Sequence, residues 1–293
     1  MRRWIVLTLA VLASACGVLL IPGVRTAVLA QVHRAITSNP TLQRVEPFRI
    51  FDNVSYVGVR WVSAYLIDTS DGLILIDALT ADFVENAIDG IRELGFDPAA
   101  LKYVLITHGH RDHAGGAAEL QARFGARVAM TERDWELVSA RALKDGFAAP
   151  HRDVVVQDGD EITLGGTTVR FYVTPGHTPG VLSMEFDVHD GRDVHRAFVF
   201  GGVGLNFDGV ARTEAYLRSV GRIRDLARGP VPVSVNLSNH PVAGGVLSRR
   251  ANLTSRGESE PHPYVDTDAF LTWLDRLESR TEAKLATERG VER

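Results

Sequence analysis

Two short runs, Leu73-Ile74-Leu75-Ile76 and Tyr103-Val104-Leu105-Ile106, are hydrophobic at every position. Successive side chains of a strand point to opposite faces, so a strand without polar alternation has both faces covered. Each run ends abruptly in residues that hold protons or metals. Asp77 follows the first, and Thr107-His108-Gly109-His110-Arg111-Asp112-His113 follows the second. The end of a buried strand is where α/β folds place their ligand sites.

Strand and helix patterns alternate around these runs. Val54–Val59 and Trp61–Ile67 read as strands, with Asp71-Gly72 as a hairpin turn. Asp82-x-x-Glu85 predicts a capping box opening a helix whose Val84, Ala87, Ile88, Ile91 and Leu94 share a face, closed by Gly95. Further helices are predicted over 117–124, 134–142, 213–226 and 267–284, and strands over 128–130, 161–164, 168–173, 181–186, 196–200 and 231–237, with 287–293 fraying. The fold class is α/β, with helices covering sheets.

His108-x-His110-x-Asp112-His113 puts four metal-competent side chains into six residues. Alternate residues at a strand end point the same way, so His108 and His110 converge on one ion. The turn that follows sends Asp112 and His113 toward a second position. Neutral imidazoles and a carboxylate suit zinc, and also iron or manganese. Thr174-Pro175-Gly176-His177-Thr178-Pro179-Gly180 and Ser238-Asn239-His240-Pro241 each place one more histidine after a strand pattern. Together they offer a third ligand to each of two metals, and three protein ligands plus water describe a catalytic site. Of the other histidines, His33 lies in a linker and His189 and His195 flank a turn. His151 and His262 sit in proline-containing loops that can border a cleft, with an exposed position as the default.

The chain has 293 residues, a net charge of −4 and a single cysteine, Cys16. That charge offers no basic field to nucleic acid. One cysteine excludes a disulfide framework and a thiolate-rich metal site. Arg2 and Arg3 precede an apolar run over 4–24, which reads as a targeting segment over residues 1–30. Three forms fit it: a signal peptide cleaved after Val28-Leu29-Ala30, a lipoprotein attached through Cys16, and an uncleaved membrane anchor. All place the folded part outside the cytoplasm, in a bacterial periplasm. Residues 31–47 read as a polar linker, and 48–287 as the folded domain.

The His-x-His-x-Asp-His motif resembles the signature of the metallo-β-lactamase superfamily, over nearly the whole chain after Phe48. The resemblance implies an αβ/βα four-layer sandwich: two mixed sheets face to face, helices outside, metals at one edge. It implies two zinc ions, one on His108, His110 and His177 and one on Asp112, His113 and His240, with Asp77 supporting a ligand from behind. It also implies attack on a small-molecule carbonyl by a metal-bound hydroxide, with Asp112 orienting the nucleophile. Many relatives carry a metal-bridging aspartate in a Gly-Asp pair, where this chain has Phe200-Gly201-Gly202-Val203-Gly204-Leu205. Two of the three β-lactamase subclasses place a cysteine on the second metal, and this chain has none outside its targeting segment. The resemblance is therefore to the third, cysteine-free subclass. That subclass usually has serines near this loop to hold a substrate carboxylate; Gly202 and Gly204 stand in their place, which leaves Asn206 and His151 as candidate substrate contacts. β-Lactam hydrolysis is the leading function. Hydrolysis of another ester, thioester or lactone on the same centre is the alternative, and a metal-binding domain without turnover is the alternative of another class. No Gly-x-Ser-x-Gly elbow supports a serine hydrolase.

Overall fold

The two hydrophobic runs lie side by side in one sheet of the computed structural model, which describes residues 39–257 and 260–291. The targeting segment, Cys16 and His33 lie outside these residues. Met1–Arg44 and Val45–Arg293 are separate units. In the described part of the first, Asn39 caps a single helical turn, Pro40–Gln43, within the span read as irregular linker.

The first sheet of the second unit has seven strands in chain order: β1 (Phe48–Phe51), β2 (Val54–Tyr56), β3 (Tyr65–Thr69), β4 (Gly72–Ile76), β5 (Leu101–Leu105), β6 (Arg127–Met130) and β7 (Val154–Val155). Neighbours are antiparallel from β1 to β4 and parallel from β4 to β7. The second sheet has five: β8 (Glu161–Leu164), β9 (Thr167–Val173), β10 (Leu182–Asp190), β11 (Asp193–Val199) and β12 (Val235–Asn236), of which only β11 and β12 pair in parallel. The longer helices are α1 (Val84–Glu93), α2 (Ala117–Phe124), α3 (Glu132–Asp145), α4 (Val210–Ala227), α5 (Val246–Ser255) and α6 (Thr267–Val291). Among the described residues, no helix is long and apolar enough to cross a membrane.

The hydrophobic residues sort into three cores between four layers. Leu73 and Leu75 of β4 face a core shared with Val84, Ile88 and Ile91 of α1. Ile74 and Ile76 face the opposite way, onto Phe171, Leu182 and Met184 of the second sheet. Both faces of β4 are thus buried, the physical cause of its unbroken hydrophobic run. A third core packs Phe198 and Phe200 against Tyr216, Val220 and Ile223 of α4 and Phe270 and Leu274 of α6. This is the αβ/βα four-layer sandwich.

Several local readings differ. The Asp82-x-x-Glu85 box is not made: Phe83 is the N-cap residue, with no side-chain cap. Asp82 instead binds Arg111, and Glu85 binds Arg123, because charge pairing across elements competes with capping. The strand predicted over 231–237 shortens to Val235–Asn236. α6 does not fray at 287 but continues to Val291, held by Glu288 and Arg289 on α4 and on Gly209, the residue that precedes it.

Candidate metal centre

The segment after β5 builds most of the site. His108 leaves the strand end, His110 has extended backbone, and Arg111–Ala114 form one helical turn carrying Asp112 and His113. His177 arrives on the loop between β9 and β10, and His240 on the loop after β12. The structure brings all six predicted ligands together. Ligand atoms of His108, His110 and His177 lie within 4.8 Å of one another, as do those of His108, Asp112 and His113. His110 Nδ1 is 3.1 Å from His177 Nε2. Asp112 Oδ2, His113 Nε2 and His240 Nε2 form a triangle with sides of 3.3, 3.3 and 3.8 Å.

Four of the five rings are oriented by the bond their other nitrogen makes, which settles which nitrogen faces the centre. His108 Nδ1 donates to the Gly201 carbonyl (2.8 Å), His177 Nδ1 to the Gly204 carbonyl (2.8 Å) and His240 Nδ1 to the Trp61 carbonyl (2.6 Å). His113 Nδ1 donates to Asp77 Oδ2 at 2.7 Å. Asp77 also accepts from the Thr107 backbone N–H (2.8 Å) and hydroxyl (2.9 Å). It sits at φ 63°, an uncommon conformation for a residue with a side chain and of the kind stored at functional sites.

The set fits a metal chemically. His108 Nε2 is buried with no hydrogen-bond partner, a condition that costs about 1–3 kcal/mol and that a cation at this point relieves. Burial, together with neighbouring imidazoles, holds His108 and His240 below the usual histidine range. Burial takes His110 down to about 4 and His177 to about 3. These four rings are neutral at pH 7 and present lone pairs. His113 is the exception: burial opposes its charge, but the carboxylates of Asp112 and Asp77 outweigh it and push the ring up to about 10. Burial would raise Asp112, yet the adjacent His113 overrides it and holds the carboxyl well below the ordinary range.

Gly202 and Gly204 press on His177: a Cβ on Gly202 would stand 2.8 Å from His177 Cβ, and one on Gly204 would stand 3.1 Å from His177 Cε1 and 2.6 Å from Asn206 Oδ1. These glycines make room for a ligand, and a side chain there would have to displace it. Asn206 is exposed, leaning over Gly204. His151 is exposed before β7, its backbone N–H and carbonyl both bonded to the Gln121 side chain. His262 does not border the cleft. It is buried, stacked on Phe51 at 4.0 Å, donates from Nε2 to the Ile50 carbonyl and accepts from the Tyr264 N–H. Trp61 stacks on His240 as a wall of the site, whereas Trp135 belongs to the core.

The chain belongs to the metallo-β-lactamase superfamily. The superfamily model matches residues 57–191. A metallo-β-lactamase of Cronobacter sakazakii is 30% identical, with a TM-score of 0.73 over 84% of this chain and 96% of that one. BJP-1, a subclass B3 metallo-β-lactamase of Bradyrhizobium japonicum, is 29% identical, with a TM-score of 0.76 over 86% and 97%. A hydroxyacylglutathione hydrolase of Acidiphilium cryptum is 40% identical over 100 residues, 34% of this chain and 35% of that protein. This chain spans between about a third and a half of the length of the curated hydroxyacylglutathione hydrolases it matches.

Asp134, in the first turn of α3, had no place in the sequence reading beyond helix initiation. It is buried, accepts from the Gly109 N–H at 3.2 Å and the Thr178 hydroxyl at 2.9 Å, and so ties together the two loops that carry His108, His110 and His177. Its signal in the sequence, an acid three residues after Thr131, is that of any capped helix. Burial pushes this carboxyl up to about 6, against the pull of those hydrogen bonds. The native state then holds a proton that the unfolded chain has released, so this group's contribution to stability falls as pH rises from about 4 to about 6. Asp134→Asn should remove that slope. With metal chelated from both proteins, unfolding free energies should shift in the variant's favour by on the order of 3 kcal/mol across this window; a constant difference across pH 4–7 would refute the assignment.

Proposed function

We propose that this chain is a dinuclear zinc hydrolase whose preferred substrates are β-lactam amides. The observation that carries the reading is the donor set: two imidazole-rich groups meet at one strand end, and among the described residues no further carboxylate joins them. We assign the second position to Asp112, His113 and His240, whose facing atoms lie 3.3, 3.3 and 3.8 Å apart, and this set supports the cysteine-free subclass over relatives with a bridging aspartate. The near-complete overlap with the subclass B3 enzyme favours it too. Two zinc ions held there would lower the pKa of a shared water toward about 7 and polarise a carbonyl oxygen. Asp112 is the one carboxylate of the six ligands and is about a quarter exposed, so it is placed to orient the attacking water. Carbonyl groups of Gly201, Gly204 and Trp61 keep three imidazoles in one tautomer. Trp61 walls the site, and Asn206 stands where a substrate's polar group meets the loop after β11. The arginine pair and apolar run of residues 1–30 support work outside the cytoplasm.

A second reading, thioester hydrolysis, is favoured by the hydroxyacylglutathione hydrolases among the sequence relatives. Zinc-loaded protein assayed on a carbapenem, an acylglutathione thioester and an acyl lactone separates the two. The β-lactam should be preferred in kcat/KM by about 100-fold, a difference of roughly 3 kcal/mol in transition-state binding. Absence of turnover on any β-lactam overturns the first reading, and thioester turnover in its place establishes the second.

A further inference from the structure

We propose that Arg212 is a positioning residue for His177, and that Glu288, at the far end of the chain, sets the helix that presents it. This rests on the metal-centre reading above. Three residues on one face of α4 grip three successive residues of the His177 loop. Arg212 Nε donates to the Gly176 carbonyl at 2.7 Å and its terminal NH2 donates to the His177 carbonyl. Ser219 Oγ donates to the Pro175 carbonyl at 2.8 Å. Between them Tyr216 packs so closely that a Cβ on Gly176 would stand 2.5 Å from the Tyr216 Cβ, and Gly176 sits at φ 145°, where a side chain is strained. Positions 212, 216 and 219 follow the helical spacing that aligns side chains on one face.

This grip fixes the backbone on both sides of the His177 ring, whose Nδ1 is fixed separately by Gly204. A lysine at 212 has no planar fork with which to meet two carbonyls at once. The guanidinium also lies over the Phe207 ring (4.9 Å), which in turn neighbours His177 (6.4 Å).

α4 begins at Gly209, a cap residue with no side chain to satisfy the first N–H groups. Glu288 of α6 supplies a partner for one of them from across the fold. Its carboxylate accepts from the Gly209 N–H at 3.1 Å and the Thr213 hydroxyl at 2.7 Å. Lys284, one turn earlier, pairs with Glu288 at 2.8 Å and lies over the same Phe207 ring at 5.3 Å. Both side chains are largely buried, 18% and 15% exposed, unusual for Lys and Glu unless they are paired in place. A carboxylate at this end also opposes the positive pole of α4. The contacts thus run from the last turns of α6 through the start of α4 to the third ligand of the first metal position.

The test measures zinc affinity by chelator competition, and the ligand-field spectrum of cobalt-substituted protein, in Glu288→Ala, Glu288→Gln, Arg212→Lys and the double variant Glu288→Ala/Arg212→Lys. Arg289→Ala is the control, because it loosens the same end of α6 by removing an exposed pair with Glu214. Glu288→Ala and Arg212→Lys should each weaken one of the two zinc equivalents by about 10–100-fold, the range for residues that orient a ligand. The double variant should lose less than the product of the two, since both act through one path. Glu288→Gln, which still accepts from Gly209, should recover part of the loss, and excess zinc should restore kcat. The proposal is overturned if the variants lower only the unfolding temperature, if their effects multiply in full, or if Arg289→Ala matches them. Parent protein that binds no zinc would overturn the metal-centre reading instead.

Discussion

His110→Ala should leave a folded protein that binds one zinc ion rather than two and has lost at least about 1000-fold in kcat/KM. The ligand is the least costly of the six to remove structurally. It is half-buried, and among the described residues its only side-chain hydrogen bond is to another ligand, His177. No carboxylate loses a partner, so the metal-free variant should unfold within a few degrees of the parent. The activity loss follows from removing one cation's share of charge stabilisation, several kcal/mol, at about 1.4 kcal/mol per tenfold. Metal analysis and steady-state kinetics check it together. His189→Ala is the comparison: that residue lies in the β10–β11 hairpin, with its backbone bonded to Asn53, and should change neither quantity. Retention of two zinc ions by His110→Ala would refute the first ligand set, and full activity with one zinc would refute a dinuclear mechanism.

Asp77→Asn should lower both stability and zinc affinity, although Asp77 sits behind His113 rather than among the metal donors. The carboxylate is buried and accepts three hydrogen bonds, from the Thr107 N–H, the Thr107 hydroxyl and His113 Nδ1. An amide turns one acceptor oxygen into a donor, which meets either the His113 Nδ1–H or the Thr107 backbone N–H, depending on its orientation, without complement. The cost in the metal-free protein should be about 3 kcal/mol, as for a buried charged hydrogen bond broken on one side. Zinc at the second position should bind about 10–100-fold more weakly, because His113 loses the partner that orients it. Denaturant unfolding and chelator competition measure the two effects separately. Unchanged affinity would show that His113 is held by the one-turn helix Arg111–Ala114 alone.

Much of this was legible in the chain because burial leaves a periodic trace. The run Leu73–Ile76 announces a strand covered on both faces, and β4 is so covered. The helix Ala117–Phe124 appears with the expected ends, because Gly125, in the left-handed conformation, stops it. The capping box at Asp82 fails for the opposite reason: the motif is local, and two arginines distant in sequence offer its acids better partners. The last helix runs past its expected end because Glu288 and Arg289 find α4, a partner with no sequence signal.

The site divides along the same line. Ligand identity is a matter of side-chain chemistry, so His108, His110, Asp112 and His113 declare themselves by spacing after a buried strand, as do His177 and His240 once that cluster is seen. Orientation is another matter. The carbonyls of Gly201, Gly204 and Trp61, the Asp134 carboxylate between two loops and the Arg212 grip carry no residue-type signature, since any residue has a carbonyl and most buried acids look like helix caps. Sequence determined which side chains can offer a ligand atom to a cation and which strands are covered on both faces. Only the tertiary structure decided which nitrogen of each imidazole points inward, because that depends on hydrogen bonds between segments brought together by folding.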